Sequence, residues 1–388
     1  VVAFVLLPLY YKLNLTSIYT YLDVRFGKTA YRTGASFFLL SKMLGAAARL
    51  YLVCLILQNY VFGSMGVPFE ITAAGTVFLI WLYTFRGGIK SLVWTDALQT
   101  LCLITALVLI LYQLCRLNDF TVTEAIRHVT ESPYGRWIEW DDWTSRQHVM
   151  TGLDQDMMQK NLTCKNLRDA QKDMCSYGFS FIPLNMLFLG MGILLLALAS
   201  REGIALPVKG DDILPLFCAE GYLGNEVLVL FTIGIIAAAF SSADSALTAL
   251  TTSFCVDILD VERRFARPEA VRKRVHGVIA LLFVGFILCF EAVNDSSVID
   301  AIYVVASYTY GPLLGLFAFG MFTRRKPWPA AVPWICVTAP VCCYLLDVWT
   351  ASVYGYRFGY ELLMLNGLFT FVGLYAFSKA YSPGMDKR

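Results

Sequence analysis

The sequence predicts an all-α polytopic membrane protein, on three observations. The chain is 57% hydrophobic and only 15% charged, against roughly 25% charged in soluble domains, and its mean hydropathy is +0.60. Its apolar residues gather into runs close to the ~20 residues that carry a helix across a bilayer. Its basic residues fall mainly on one side of those runs. Strands are a poor reading, because an open strand leaves backbone groups unpaired in lipid. A net charge of +2 gives no global field that would favour nucleic acid, and none is expected as a partner.

The runs cover roughly 1–11, 34–62, 70–85, 92–115, 149–158, 177–200, 226–256, 275–292, 298–322, 330–347 and 361–378. If the loop after the first run is cytoplasmic, 22 of the 31 basic residues lie on that side, which is the positive-inside pattern. The whole chain, 1–388, then reads as one transmembrane domain, with an extracytoplasmic loop at 116–148 and a cytoplasmic tail at 379–388. Within the loop, Trp137, Trp140 and Trp143 have the spacing of an interfacial amphipathic helix. The run 149–158 is too short to cross, so it is either a re-entrant or broken helix or a crossing with residues absent near His148. The apolar start at Val1 likewise suggests residues before it. Eleven cysteines form no pattern with metal-ligand spacing and read as small hydrophobes packed between helices.

Polar groups at membrane depth are costly and mark candidate sites. Four stand out. At 100° per residue, Ala238, Ser241, Ser242, Ser245 and Thr248 share one face of the run 226–256, with Asp244 at its edge. Small residues of this kind also serve helix packing, but a buried carboxylate favours a site, and oxygen ligands suit a hard cation. In the second group Gly87-Gly88 predicts a tight turn between two helices, and Asp96 enters the following span either as a cation ligand or as the partner of a base such as Lys90. Third, Arg49 lies near the middle of its span, with Lys42 two turns earlier on the same face. Its partner is either a carboxylate of Asp96, Asp244 or Asp154, or that of a substrate. The fourth is Gly311-Pro312, a plain kink or a broken helix at a site, with Tyr303 two turns before it.

These residues resemble the sodium:solute symporter family, which includes sodium-coupled sugar, proline and sialic acid transporters. Tyr83 to Gln99 is similar to the family's GG…WTDxxQ signature. Gly152 to Gln159 with Leu167 to Lys172 resembles its sixth core helix and exit loop, and Ala238 to Ser245 its eighth. The resemblance implies a LeuT-like five-plus-five inverted repeat, incomplete here because core helix 1 and part of core helix 6 are absent. It implies a principal sodium site at Ala238 (carbonyl), Ser241 and Ser242. A second site would use Asp96, Ser241, Asp244 and Ser245, with Asp244 standing where some members carry a hydroxyl. Arg49 matches the arginine of the sialic acid and proline branches and, with Tyr303, implies contact with a carboxylated solute. Phe181 and Tyr303 stand where the sugar branch has a lysine and a glutamine, which argues against a galactose-type site.

The expected activity is secondary transport: sodium-coupled symport of a small, carboxylated organic solute by alternating access, in the cell membrane, with sodium, solute and lipid bilayer as partners. No cofactor, covalent chemistry or ATP-binding loop is expected, nor any metal other than sodium. The alternatives are a sodium-coupled neutral sugar symporter and a transporter-like membrane sensor.

Overall fold

The computed structural model describes residues 3–4, 7–12, 19–135, 164, 166–207, 210–293, 298–359 and 361–380. For several residues inside helices, among them 86–96, 238, 239, 242 and 298–303, it describes the backbone only. The residues 149–158, Asp154 and the three loop tryptophans lie outside the described residues.

The helices are α1 (Leu7–Lys12), α2 (Thr20–Phe26), α3 (Lys28–Leu57), α4 (Phe69–Leu117), α5 (Val122–Glu131), α6 (Leu167–Glu202), α7 (Ile213–Ala219), α8 (Asn225–Ser253), α9 (Val261–Arg264), α10 (Pro268–Val293), α11 (Val298–Phe322), α12 (Ala331–Tyr354) and α13 (Leu362–Ala376). Both α3 and α8 run on into a π-helical turn, Gln58–Phe62 and Phe254–Ile258. An antiparallel ribbon pairs β1 (Arg325–Pro327) with β2 (Ser378–Ala380), Lys326 opposite Lys379. The expected tail therefore begins as a strand rather than as a free end. Within the segment 116–148, α5 starts at a capping box in which Thr121 and Glu124 satisfy each other's free amides.

Among the described residues, five stretches are long and apolar enough to cross a membrane: Lys28–Leu57, Ala97–Leu117, Leu167–Glu202, Pro268–Ala292 and Ala331–Tyr354. Their outer faces carry exposed Leu281, Val341 and Leu345, as surfaces solvated by acyl chains require. The chain is a multi-pass membrane protein.

One expectation is corrected. Gly87-Gly88 makes no turn: the backbone is helical without a break from Phe69 to Leu117. A glycine costs a helix about 1 kcal/mol but forbids nothing, and no proline lies between 69 and 117 to remove a donor. Apolar stretches Phe69–Phe85 and Ala97–Leu117 flank the pair on this one helix.

Three apolar cores hold the bundle. The first joins α2, the start of α3, α11, α12 and α13 around Phe38, Phe317 and Phe319. The second joins the rest of α3 to the first half of α4, to α8 and to α10. The third joins the second half of α4 to α5, α6 and α7. Helix α8 contributes to all three, through Ala249, Ala243 and Val227 respectively. It is the shared strut of the fold.

The Gly311-Pro312 pair resolves as a locked helix rather than a broken one, since α11 is continuous from Val298 to Phe322. Pro312 has no N–H for the carbonyl of Tyr308, four residues back. Asn366 of α13, fully buried, supplies the donor: its Nδ2 reaches the carbonyls of Tyr308 at 2.9 Å and Ser307 at 3.1 Å. A Cβ on Gly311 would collide with the Asn366 side chain, and one on Gly315 would lie 2.5 Å from Thr370 Cβ. Gly311→Ala should therefore cost about 1–3 kcal/mol by overpacking, and Asn366→Leu about as much by orphaning the Tyr308 carbonyl. Thermal unfolding of the purified protein in detergent checks this; unchanged midpoints would refute the lock.

Candidate functional site

The site is built on α8. Gly224, at φ 89°, turns the chain into it, and Glu226 in its first turn complements the positive end of the helix dipole. A run of small residues follows, which lets α3, α4 and α10 approach closely. Met43, Ala46, Ala47 and Leu50 of α3 form one wall beside it, and Ala73, Val77 and Ile80 of α4 another.

Asp244 is completely buried in this packing. Tyr83 Oη of α4 donates a hydrogen bond to its carboxylate and also reaches the carbonyl of Phe240, at 3.5 Å. The Tyr83 and Phe240 rings stack with centroids 5.9 Å apart, which fixes the hydroxyl over the helix. Next in sequence, Ser245 is 4% exposed, and its Oγ has no hydrogen-bond partner among the described residues. A buried orphan hydroxyl costs about 1–3 kcal/mol. The hydrogen bond from Tyr83 contributes about 1.5–3 kcal/mol against a burial cost of several kcal/mol for an ionised carboxylate. A buried carboxylate and the hydroxyl of the next residue, in a dry, small-residue environment, are oxygen groups of the kind that suit a desolvated cation.

Of the other candidates on this stripe, Ser241 is half-buried. Ala238 and Ser242 are placed on α8 by their backbone, and their side chains lie outside the described atoms. Asp96 is likewise placed only by its position on α4, thirteen residues beyond Tyr83.

Of the carboxylate partners expected for Arg49, Asp96 and Asp154 lie outside the described side chains. Arg49 is exposed, and its Nε donates to the Gly45 carbonyl one turn back, at 3.1 Å; it makes no ion pair with any described residue. Lys42, on the same face, is buried. Helices α3 and α11 run antiparallel, with Leu313 against Gly34 and the hydroxyls of Thr309 and Ser41 sharing a 2.7 Å hydrogen bond. Arg49 lies eight residues beyond Ser41. Tyr303 precedes Thr309 by six residues on the antiparallel helix. Both are therefore displaced toward the same end, by ~12 Å and ~9 Å at 1.5 Å per residue. The backbone brings the two candidate solute contacts to one level; the Tyr303 side chain lies outside the described atoms.

Two polar residues were missed in the sequence. Tyr83 sits inside the quoted motif, and an aromatic with a polar tip beside an apolar run was the available signal. His276 of α10 is the other. It is buried, with Nε2 at 2.9 Å from Thr84 Oγ1 of α4 and Nδ1 at 3.0 Å from Thr251 Oγ1 of α8. This single imidazole ties three helices together. A lone histidine inside an apolar span marked it. Just past the C-terminal end of α8, six residues beyond Thr251, Asp257 in the π-turn accepts from Ser253 Oγ at 2.5 Å and from Tyr31 Oη of α3 at 2.6 Å. Tyr83→Phe should lower stability by about 1.5–3 kcal/mol, while the same change at exposed Tyr112 should do almost nothing. Unfolding midpoints compared in sodium-free buffer decide it, and equal effects at the two positions would remove Tyr83 from the site.

The chain was compared with known proteins. No family model matches it. It is 26% identical over 348 residues to the sodium/sialic acid symporter NanT of Aliivibrio fischeri, covering 82% of this chain and 66% of that one. To the sodium/sialic acid symporter SiaT of Proteus mirabilis it is 26% identical, covering 86% and 70%. To the human sodium/iodide cotransporter it is 24% identical, covering 82% of this chain and 52% of the relative. The chain thus spans about two thirds of the length of the bacterial relatives and about half of the human one. Its structure matches the substrate-bound outward-open state of a Na+-coupled sialic acid symporter with a TM-score of 0.77 at 21% identity, covering 98% of this chain and 82% of that one. These relatives are transporters, not enzymes, and the LeuT-like expectation for the fold is met. The chain is a relative of the sodium:solute symporters and carries their helical fold.

Proposed function

We propose that this chain carries out sodium-coupled symport of a small organic solute bearing a carboxylate, by alternating access in the cell membrane. The observation that carries the reading is the fully buried carboxylate of Asp244 beside the unsatisfied hydroxyl of Ser245, on the helix that all three cores share. Sodium is the coupling ion and is transported. In this reading the principal sodium takes the Ala238 carbonyl and the Ser241 and Ser242 hydroxyls. A second takes Asp96, Ser241, Asp244 and Ser245. Tyr83 holds the Asp244 carboxylate in its buried rotamer, so that its charge faces the ion rather than lipid.

Arg49 supports the carboxylate part of the reading. An exposed guanidinium folded onto its own helix, at the level of Tyr303, presents a planar fork suited to a carboxylate. A neutral sugar would have no use for that charge. Ion binding on α8 favours one packing of α8 against α3 and α4, and the solute completes the closed state; the sodium gradient supplies the work.

The test is uptake into proteoliposomes of a carboxylated solute, with a sialic acid as the first probe and proline as the second. An inward sodium gradient should drive accumulation, and a potassium gradient should not. Asp244→Asn should raise the sodium concentration for half-maximal uptake about tenfold, equivalent to about 1.4 kcal/mol. Arg49→Gln should raise the KM for the solute and leave the sodium dependence alone. Accumulation indifferent to sodium, or unaltered in Asp244→Asn, would overturn the assignment of the ion site. A neutral sugar transported in preference to the acids would overturn the role of Arg49.

A further inference from the structure

A second site lies at the basic end of the bundle. The first turns of α3 and α12 frame a groove of about 460 Å³. One wall carries Lys28 and Arg32, one helical turn apart on the same face of α3. Neither makes an ion pair with any described residue, and no Asp or Glu lines the groove. The nearby acids Asp23, Asp257 and Asp260 gather around Tyr31, which lies outside the groove lining. The hydroxyls of Thr29 and Ser36 line the same wall.

The other wall is apolar. Val337 of α12 faces Phe37 of α3 across the groove, and beyond it Trp334, Val341, Leu345 and Val348 are all exposed. At spacings of three and four residues they form one stripe that climbs α12 away from the basic end. Trp334, exposed at the start of this stripe, is an aromatic of the kind that sits at headgroup level.

We infer that this groove binds an anionic phospholipid, its phosphate between Lys28 and Arg32 and one acyl chain along the α12 stripe. The charge identifies the headgroup class, because two uncompensated cations with hydroxyl donors and no carboxylate select a phosphate ester over a zwitterionic headgroup. The continuous apolar track identifies a lipid rather than a free anion. The site faces outward from the bundle and does not depend on the transport reading.

Native mass spectrometry of the purified protein, titrated with an equimolar mixture of phosphatidylglycerol and phosphatidylcholine, tests it. The unaltered protein should retain phosphatidylglycerol in preference. The double variant Lys28→Gln, Arg32→Gln should lower that retention about tenfold or more without changing retention of phosphatidylcholine. Val337→Trp, which fills the track and leaves both charges, should also lower it. Arg116→Gln, outside the groove, should not. Equal retention by the unaltered protein and the double variant would overturn the inference. So would displacement of the bound lipid by millimolar inorganic phosphate, which would make the groove a simple anion site.

Discussion

The burial of a carboxylate in the middle of a helical membrane bundle is the constraint from which the site follows. Asp244 has no exposed surface, and an ionised carboxylate in such surroundings is stable only where oriented donors or a cation share its charge. Tyr83 is one such donor. The stacked Tyr83–Phe240 pair, the small residues of α8 and the close walls of α3 and α4 all hold that geometry. A helix built from larger side chains would separate α8 from its neighbours and admit lipid or water to the carboxylate. The run of small residues is therefore both a packing surface and the condition for an ion site, and the two readings of that stripe are compatible.

The same economy governs the backbone. In hydrocarbon a freed carbonyl has no water to accept from, so a proline inside a span needs a donor from elsewhere. Asn366 meets that need for Tyr308, and the missing side chain of Gly311 is what lets it approach. His276, Thr84 and Thr251 form a comparable junction among α4, α8 and α10. These polar junctions fasten α8 and α11, the two helices that carry candidate ion and solute contacts, to their neighbours.

Much of this architecture was legible in the chain. The boundaries of α11 follow from the run 298–322 and those of α8 nearly from 226–256, while α6, α10 and α12 extend well past their apolar runs into polar residues. Asp244 stood out because a carboxylate in an apolar run has few uses. The turn expected at Gly87-Gly88 failed because glycine lowers helix propensity without forbidding a helix, and a local penalty of this size yields to its context. The role of Tyr83 was hidden because its partner lies 161 residues away, and no periodicity within one segment encodes which face of another helix it will meet.

Composition and periodicity by themselves determined that the chain forms long apolar helices suited to a membrane, and that Asp244 lies inside one of them. Those properties depend on transfer from water to lipid, which each segment settles almost alone. Only the tertiary structure decided that Asp244 is held by Tyr83, that Lys42 is covered while Arg49 on the same face is open, and that Pro312 is repaired by Asn366. These depend on where a second helix stops and which atoms it presents, and that is a property of the packed whole rather than of any one stretch of sequence.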